Sequence, residues 1–479
     1  MATVLTPDLC VIGAGATGVA AAEAARRLGA EVVVAEKGVP ANASRRNAAI
    51  ALRALGAAAE RAVAATGGAQ VGIFGSVPRV SFRRLHDHIG EVIAANAADS
   101  GPARLQALGV DLIRGTGSFT DPRTLSVGAS AVRARRFVIA TGARPVLPDL
   151  PGLLSVPYFT TETIFDNTRR LPHLLLVGAG PMGVEIALGY RRLGTRVTIV
   201  EPGRILPQCD PELADVALRR MREAGVTIYE SSAVQALNSS GEGIAASLRV
   251  GDEALTIEAT HILVASGRVA SLDELNLEAA KIRRAMSDPG MLSLNSSLRT
   301  TNPRVFAVGE AAGHAPAAHL AAPEADLVVR AALLGQSSRY DPAAVPRLVL
   351  TDPPIAEIGL SEPVARQRFK TGFSVLRAAY AETDRARAAG EGMGLAKLIV
   401  GKDGKILGAG VVGPDAGELV ALFGLAMHLG LDSKRLADLP APYPSYAELI
   451  RSLGGQAAAR DPAPDRWTQR LFALNRLLP

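Results

Sequence analysis

The chain has 479 residues, too many for one hydrophobic core, so about three domains are expected. Aromatic residues make up only 4% of it and glycine is frequent, a composition typical of layered α/β packing in which small residues let helices lie close to a sheet. The formal charge of +6 favours anionic ligands, but Lys and Arg form no block, and this excludes nucleic acid as the expected partner.

The chain begins MATVLTPDLCVIGAGATG, which has no basic segment before its apolar run and does not read as a signal peptide. No run of about 18 uncharged apolar residues follows, so no membrane span is predicted and a cytoplasmic protein is expected. The two cysteines, Cys10 and Cys209, provide neither a disulfide framework nor a thiolate metal site. Cys10 lies in the first apolar run, where a buried strand thiol is expected.

The first predicted elements are an apolar strand, a glycine turn, an alanine-rich helix and a second strand, in LCVIGAGATGVAAAEAARRLGAEVVVAEK from Leu9. The same elements recur in LLVGAGPMGVEIALGYRRLGTRVTIVEP from Leu175. The two copies match at a constant offset of 165 residues, so that Gly13, Gly15, Gly18 and Glu36 correspond to Gly178, Gly180, Gly183 and Glu201. The chain therefore contains an internal duplication.

Each copy has the residues that a dinucleotide-binding module requires. The first glycine makes the tight turn, the second lets the backbone approach a pyrophosphate, and the third lets helix pack on strand. The pyrophosphate then lies at the helix N-terminus, where free N–H groups favour negative charge. The carboxylate that ends the second strand accepts hydrogen bonds from ribose. Two modules predict two dinucleotides, a tightly bound flavin and an exchanging nicotinamide.

The acid of the second module bears on the choice between NADH and NADPH. A carboxylate at Glu201 repels a 2′-phosphate, which favours NADH. Arg204 lies close by in sequence and weakens this preference.

Five further segments, together with the duplication, resemble the class I pyridine nucleotide–disulfide oxidoreductases, the family of dihydrolipoamide dehydrogenase and mercuric reductase. The resemblance extends from about Pro7 to Ile450. The segments are FVIATGAR (137–144), ILVASGRVASLDELNL (262–277), TNPRVFAVGEAAG (301–313), LTDPPIAEIGLSE (350–362) and KILGAGVVGPDAGELV (405–420).

The resemblance implies an α/β fold with two Rossmann-like domains, for FAD and for NAD(P)H, and a C-terminal α+β dimerisation domain, hence a homodimer. The implied boundaries are 1–150 and 271–340 for the two parts of the FAD domain, 151–270 for the NAD(P)H domain, 341–455 for the dimerisation domain and 456–479 for a basic tail.

The resemblance also implies flavin contacts. Thr141 and Gly142 close the first FAD segment, and Gly309 and Glu310 lie along the ribityl chain. Family members normally have Asp in the latter place, so the longer Glu310 must re-aim its hydrogen bond. His319 lies beside the flavin ring, and its spacing of five from His314 does not suit a metal site.

The chain departs from the family where disulfide reductases carry two cysteines. Between Glu36 and Ile50 it reads KGVPANASRRNAA, without cysteine and several residues shorter. Thiol–disulfide exchange needs a thiolate and a resolving partner. A redox-active dithiol is therefore not expected.

A second departure lies near the C-terminus, where YPSYAE replaces the family's His-Pro-Thr segment and its following Glu. Tyr443 occupies the position of the catalytic His, and Glu448 keeps the position of its partner. A tyrosine with an ordinary pKa near 10 is a poor base but a usable proton donor. The alternative is that Tyr443 only fills the vacated space.

Two further positions concern the flavin's reactive edge. Glu185 matches the family Glu that pairs with a Lys there, and Arg45 or Arg46 replaces that Lys in our interpretation. Solvated arginines on a helix are the alternative. Pro181 stands where the family often has an aromatic gate to the nicotinamide pocket.

The last residues predict a basic amphipathic helix. Trp467, Leu471, Leu474 and Leu478 form its apolar stripe, and arginines lie elsewhere around it. Packing within the dimer is the favoured role, and contact with an anionic membrane surface is the alternative.

These features predict a FAD-dependent oxidoreductase that takes hydride from NADH and passes electrons to a non-disulfide acceptor: a quinone, another small molecule, oxygen or a protein. Two alternatives stay open, a flavin-binding regulatory subunit without turnover and a transhydrogenase between NADH and NADP⁺.

Overall fold

The computed structural model describes residues 3–38, 44–68, 72–98, 102–241, 243–314, 318–337, 339–460, 470–471 and 474–476. The chain divides into two compact units. The large unit comprises Met1–Ile205 and Ala224–Asp341, and the small unit comprises Leu206–Glu223 and Pro342–Pro479. Leu206–Glu223 thus groups with the C-terminal residues, although the sequence placed it inside the NAD(P)H domain.

The α-helices of the described residues are α1 (Ala16–Arg27), α2 (Ser44–Ala65), α3 (Phe82–Ala98), α4 (Pro102–Ala107), α5 (Pro181–Arg192), α6 (Pro211–Glu223), α7 (Ala321–Val329), α8 (Glu362–Phe369), α9 (Asp384–Ala389), α10 (Ala416–His428) and α11 (Glu448–Ala458). Among them, none has both the length and the apolar character required to cross a bilayer. The predicted tail helix falls mostly outside the described residues; Leu471 and Leu474 are described, and both are exposed.

The first module of the large unit is a five-stranded parallel sheet; four of its strands are short, mainly apolar runs that are largely buried, as is typical of parallel sheets, and the fifth strand, at one edge, is partly exposed. Its strands in spatial order are β21 (Val305–Ala307), β10 (Arg136–Ile139), β2 (Leu9–Ile12), β3 (Val32–Glu36) and β6 (Asp111–Arg114). Helices α1 and α7 contribute to the core on one face. A small sheet covers the other face, formed by β1 (Thr3–Leu5), β9 (Ser130–Val132), β8 (Thr124–Val127) and β7 (Gly117–Asp121).

The second module repeats this plan. Its parallel strands in spatial order are β12 (Tyr158–Thr160), β19 (His261–Val264), β13 (His173–Val177), β14 (Arg196–Val200) and β15 (Thr227–Tyr229). An antiparallel sheet packs on it, formed by β16 (Ser232–Ser240), β17 (Gly243–Val250) and β18 (Glu253–Ala259). The order β19-β13-β14-β15 matches β10-β2-β3-β6, which confirms the predicted pair of Rossmann-like modules.

Two short antiparallel pairs complete the large unit. They are β4 (Gly67–Gly68) with β5 (Ile73–Phe74), and β11 (Ala143–Pro145) with β20 (Arg268–Ala270). In the second pair, the segment that follows β10 is hydrogen-bonded to the segment that follows β19. The chain segments that leave the two Rossmann sheets are thereby held together.

The small unit is an antiparallel sheet with helices, as the predicted α+β domain requires. Its strands in spatial order are β22 (Arg347–Val349), β23 (Ile355–Gly359), β26 (Ile406–Val412), β25 (Leu395–Gly401) and β24 (Phe373–Ala379). Helices α10 and α11 bury their apolar faces with the strands in one core that includes Phe423, Leu449 and Leu453.

A buried lysine ties the Leu206–Glu223 segment into the small unit. Lys397 on β25 has a side chain only 3% exposed, and its Nζ lies 2.8 Å from Asp210 and from Glu212 and 2.9 Å from Glu362. Arg377 binds the same Glu212 and Glu362 carboxylates. Burial alone would lower the pKa of Lys397, but the three carboxylates outweigh it and raise that pKa.

Arg377 and Lys397 in turn lower the pKa of one of these carboxylates, Glu212. Hydrogen bonding from Arg377, followed by that from Lys397, lowers the pKa of Glu212 to about 2 against the effect of its partial burial. The cluster of two cations and three carboxylates therefore carries charges that compensate one another, and removing one charge leaves the others uncompensated.

Replacement of this lysine tests the role of the cluster. Lys397→Met keeps the length of the side chain but leaves three carboxylates around an apolar group, so we expect the small unit to lose about 3–5 kcal/mol of stability. The measurement is the thermal unfolding midpoint of the full chain. Lys402→Met, at an exposed position, is the matched control and should change the midpoint little. Equal midpoints for the two variants would show that the cluster does not hold the unit together.

Candidate functional site

Three parallel strands of the first module end at one edge of the sheet, and each is followed by predicted flavin-binding residues. Gly13 follows β2, Thr141 and Gly142 follow β10, and Gly309 and Glu310 follow β21. Because β10 lies between β2 and β21, the three turns are neighbours. Ligands of open parallel sheets bind at this carboxyl edge.

The glycines of the first turn are required for different reasons. Gly13 has a φ of +106°, and a side chain on it would place Cβ 2.4 Å from the Ala140 carbonyl oxygen. A Cβ on Gly18 would lie 2.0 Å from the Gly13 oxygen. At Gly15, by contrast, the nearest atom would be 3.9 Å away. Packing of the protein thus explains the first and third glycines, while the second leaves open space at the helix N-terminus, as a pyrophosphate requires.

The second module shows the same distribution. Gly178 has a φ of +93°, and a Cβ there would lie 2.7 Å from the Ala265 backbone. A Cβ on Gly183 would lie 2.8 Å from the Ala265 side chain, whereas one on Gly180 would meet nothing within 4 Å. The residues present therefore fit a dinucleotide in both modules.

Thr141 supplies an independent indication of a ligand. Its Oγ1 is buried and has no hydrogen-bond partner among the described residues, a property it shares with Thr195 alone. A buried hydroxyl without a partner costs about 1–3 kcal/mol. Since Thr141 lies between the two other turns, a bound cofactor is the group that would satisfy it.

The predicted ribose-binding acids have equivalent partners in the two modules. Glu36 Oε2 accepts a hydrogen bond of 2.6 Å from the Ala14 amide, and its Oε1 accepts one of 2.8 Å from Gly38. Glu201 Oε2 accepts from the Ala179 amide at 2.8 Å, and its Oε1 accepts from Gly203 at 3.0 Å. Each carboxylate is thereby fixed next to the glycine turn.

Glu310 is engaged by a residue that the sequence analysis did not single out. Arg268 donates from Nε to Glu310 Oε1 at 2.6 Å, from Nη1 to Glu162 at 3.1 Å and from Nη2 to the Ala143 carbonyl at 2.7 Å. The longer side chain thus reaches an arginine in the crossover segment, while Oε2 lies on the side of Gly142. Arg268 stands in the ASGRVAS segment, but nothing in its spacing indicated this partner.

A second cluster, also missed, lies behind Gly309. Glu324 is 2% exposed; one of its oxygens accepts from the Gly309 amide at 2.7 Å, and the other lies 2.7 Å from His314 Nδ1. The His314 ring stacks on Tyr340 with centroids 4.2 Å apart. These contacts fix the turn after β21. His319 lies in a short 3₁₀ turn and is exposed, and its place beside the flavin stays a prediction.

Tyr443 and Glu448, the residues at the positions of the family's His and Glu, make hydrogen bonds to other groups. The Tyr443 hydroxyl donates to Asp384 Oδ2 at 2.9 Å, and this hydrogen bond raises the pKa of Tyr443. Glu448 Oε1 instead accepts from the Ser445 amide at 3.0 Å. Glu448 begins α11 and binds the backbone of the turn before it, so the two side chains have different hydrogen-bond partners, and their joint role stays a prediction.

The helices that carry Glu185 and Arg45 pack together. Helix α2 lies against α5, where Leu55 side-chain atoms approach the position of a Gly189 Cβ to 3.0 Å. Glu185 is half-buried on α5, whereas the Arg45 and Arg46 side chains lie outside the described residues. Their pairing stays a prediction. Pro181 is the exposed first residue of α5.

Both cysteines of the chain are buried. Cys10 is fully buried in β2, and Cys209 in the small unit is 7% exposed. Burial raises the pKa of each thiol to about 12. Neither is a ready source of thiolate at neutral pH.

The small unit also presents an exposed apolar face. Leu422, Leu425 and Leu429, on and just after α10, are 41%, 55% and 61% exposed. Their spacing of three to four residues places them along one side of the helix.

Comparisons with known proteins agree with this geometry. Residues 7–325 match the family described as pyridine nucleotide-disulphide oxidoreductase, and residues 345–453 match its dimerisation domain. A mercuric reductase from Streptomyces lividans is 31% identical over 95% of this chain and 97% of its own. A dihydrolipoyl dehydrogenase from Geobacillus stearothermophilus is 29% identical over 92% of this chain and 94% of its own.

Solved structures share the fold. LpdA from Mycobacterium tuberculosis has a TM-score of 0.83 at 24% identity, covering 95% of this chain and 99% of that one. The HOCl-induced flavoprotein disulfide reductase RclA from Escherichia coli has a TM-score of 0.79 at 24% identity, covering 94% of this chain and 99% of that one. The chain belongs to the pyridine nucleotide–disulphide oxidoreductase family, whose members are FAD-dependent enzymes with NAD(P)H as electron donor.

Proposed function

We propose that this protein oxidises NADH through FAD and delivers the electrons to an acceptor other than a disulfide. The observation that carries the proposal is the state of its thiols. The chain has two cysteines, far apart in sequence, and both are buried with a pKa raised to about 12. Dithiol exchange needs an accessible thiolate and a second thiol to resolve the mixed disulfide. The proposed acceptors are a quinone, another small molecule, oxygen or a protein.

The proposal assigns FAD to the first module. The α1 N-terminus at Gly15 receives the pyrophosphate, Glu36 binds the ribose, and the Thr141 hydroxyl and Glu310 lie along the edge beyond. Bound FAD supplies the capacity to accept a hydride and to pass its electrons on. The protein holds it in place and stabilises its charge.

NADH is assigned to the second module. The open space at Gly180 receives its pyrophosphate, and Glu201 receives its ribose. Hydrogen bonds from Ala179 and Gly203 hold the Glu201 carboxylate at the end of β14. A 2′-phosphate would face this charge, so NADH is preferred over NADPH.

Tyr443 is proposed as a proton donor to the acceptor. Its pKa is raised by Asp384, so the phenol stays protonated at neutral pH and does not act as a base. Its side chain is 74% exposed, which leaves it accessible.

A homodimer is proposed from the dimerisation domain and from the exposed leucines of α10. Apolar side chains along one helix face are commonly covered in an obligate interface.

Flavin reduction tests the central proposal. Under anaerobic conditions NADH should bleach the flavin of the purified holoprotein, and a quinone should restore its colour. Lipoamide and glutathione disulfide should not be reduced above background. Failure of NADH to bleach the flavin would favour a regulatory subunit, and turnover of lipoamide would contradict the acceptor class. Efficient bleaching by NADPH as well as NADH would favour a transhydrogenase.

Matched substitutions in the duplicated turns test the assignment of the two modules. Gly15→Val should fold but be purified without flavin, because a Cβ there lies no closer than 3.9 Å to the protein and the side chain extends into the space assigned to the pyrophosphate. Gly180→Val should keep its flavin, yet resist reduction by NADH while a chemical reductant still bleaches it. Flavin absorbance and circular dichroism distinguish these results. Flavin retained by Gly15→Val, or lost by Gly180→Val, would reverse the assignment.

The charge of Glu201 sets the proposed coenzyme preference. Glu201→Gln keeps an acceptor oxygen for the ribose but removes the repulsion of a 2′-phosphate. We expect the ratio of kcat/KM for NADH over NADPH to fall about tenfold, equivalent to about 1.4 kcal/mol. Glu36→Gln, assayed with excess FAD, is the matched control and should leave the ratio unchanged. An unaltered ratio in Glu201→Gln would locate the preference elsewhere.

A further inference from the structure

Four arginines gather at the edge of the first sheet that is opposite the glycine turns. Arg136 begins β10 and Arg135 precedes it, while Arg304 immediately precedes β21. Arg299 pairs through its backbone with Phe306 of β21, in an isolated antiparallel bridge. Because β10 and β21 are parallel neighbours, their amino ends bring Arg135, Arg136 and Arg304 together. Arg299 lies near enough to act electrostatically on Arg136.

The backbone holds two of the guanidinium groups in place. Arg136 donates from Nε to the Ala332 carbonyl at 3.0 Å and from Nη1 to the Arg135 carbonyl at 3.0 Å. Arg304 donates from Nη1 to the same Arg135 carbonyl at 3.3 Å. Two cations therefore share one neutral acceptor, although their charges repel each other.

The cluster is short of counter-charge. Among the described residues, Asp8 is the one carboxylate that forms an ion pair with any of the four, and it pairs with Arg135 at 3.1 Å. Asp8 also accepts from the Glu31 amide, so part of its hydrogen-bonding capacity is used. Burial and the fields of Arg304, Arg135 and Arg299 together lower the pKa of Arg136. Four guanidinium groups against one carboxylate leave a formal excess of three positive charges.

The cofactor turns lie at the other end of the same strands. Along β2, Asp8 precedes the first residue and Gly13 follows the last. Along β10, Arg136 is the first residue and Thr141 lies beyond the end. The arginines are thus separated from the proposed pyrophosphate of FAD by the length of the sheet.

We propose that these four arginines form a further anion site, which binds a linear di- or triphosphate. Guanidinium groups bind phosphate oxygens through paired N–H donors, and several held close together match a compact ligand with several negative charges. A bound triphosphate removes the repulsion between Arg136 and Arg304 and stabilises the large unit. The ligand is either an inorganic polyphosphate or the phosphate chain of a nucleotide.

The test measures triphosphate binding to the FAD-loaded protein by calorimetry, in the presence of saturating NAD⁺ so that both dinucleotide modules are occupied. Inorganic triphosphate should bind, and sulfate at equal ionic strength should not compete. Arg304→Gln and Arg299→Gln should each weaken binding about tenfold, the effect of losing one charge-assisted contact. Arg53→Gln, an exposed arginine of α2, is the matched control and should bind like the parent protein.

Parallel titrations with ATP identify the source of the phosphate chain. Tighter binding of ATP than of triphosphate assigns a nucleotide, and equal affinities assign a polyphosphate; both results support the site. The proposal is overturned if saturating NAD⁺ abolishes triphosphate binding, because the anion then occupies the second module. It is also overturned if Arg304→Gln and Arg299→Gln bind triphosphate as tightly as Arg53→Gln.

Discussion

The close approach of a helix to a strand, made possible by a missing side chain, is the constraint on which the large unit depends. At Gly18 a Cβ would lie 2.0 Å from the Gly13 oxygen, and at Gly183 it would lie 2.8 Å from the Ala265 side chain. These contacts seat α1 and α5 directly on their sheets. The N-terminus of each helix then points at the carboxyl edge, where its free amides can meet an anion. The same helix–strand contact therefore occurs in both modules, and each sheet has a carboxyl edge that can receive a dinucleotide.

The positions at which the sequence departs from the family's pattern lie around that scaffold. Both thiols are buried, and burial raises the pKa of each to about 12, whereas the glycines of both dinucleotide modules are in place. Tyr443 donates a hydrogen bond to Asp384, and Glu448 accepts one from the turn before α11. The carboxylate at Glu310 is drawn to Arg268.

The small unit is held together both by apolar packing and by a buried cluster of charges. Its helices pack by apolar contact, but the Leu206–Glu223 segment is anchored through Lys397 and its three carboxylates. Such a group contributes through mutual compensation, and its charges matter most when one of them is lost. The arginines at the amino ends of β10 and β21 show the reverse condition, since the protein itself supplies too little negative charge to balance them.

The amino-acid sequence by itself determined the duplicated modules, their glycines and their terminal acids, because a turn, a pyrophosphate approach and a helix–strand contact each demand one residue type at a fixed spacing. It also determined that no cysteine pair occupies the usual loop. Only the tertiary structure decided that Glu310 meets Arg268, that Glu324 lies behind Gly309, and that Tyr443 binds Asp384 and not Glu448. It likewise decided that Leu206–Glu223 belongs with the C-terminal unit. These partners are tens or more than a hundred residues apart in most cases, and their contacts depend on how loops from different strands converge, which no local spacing encodes.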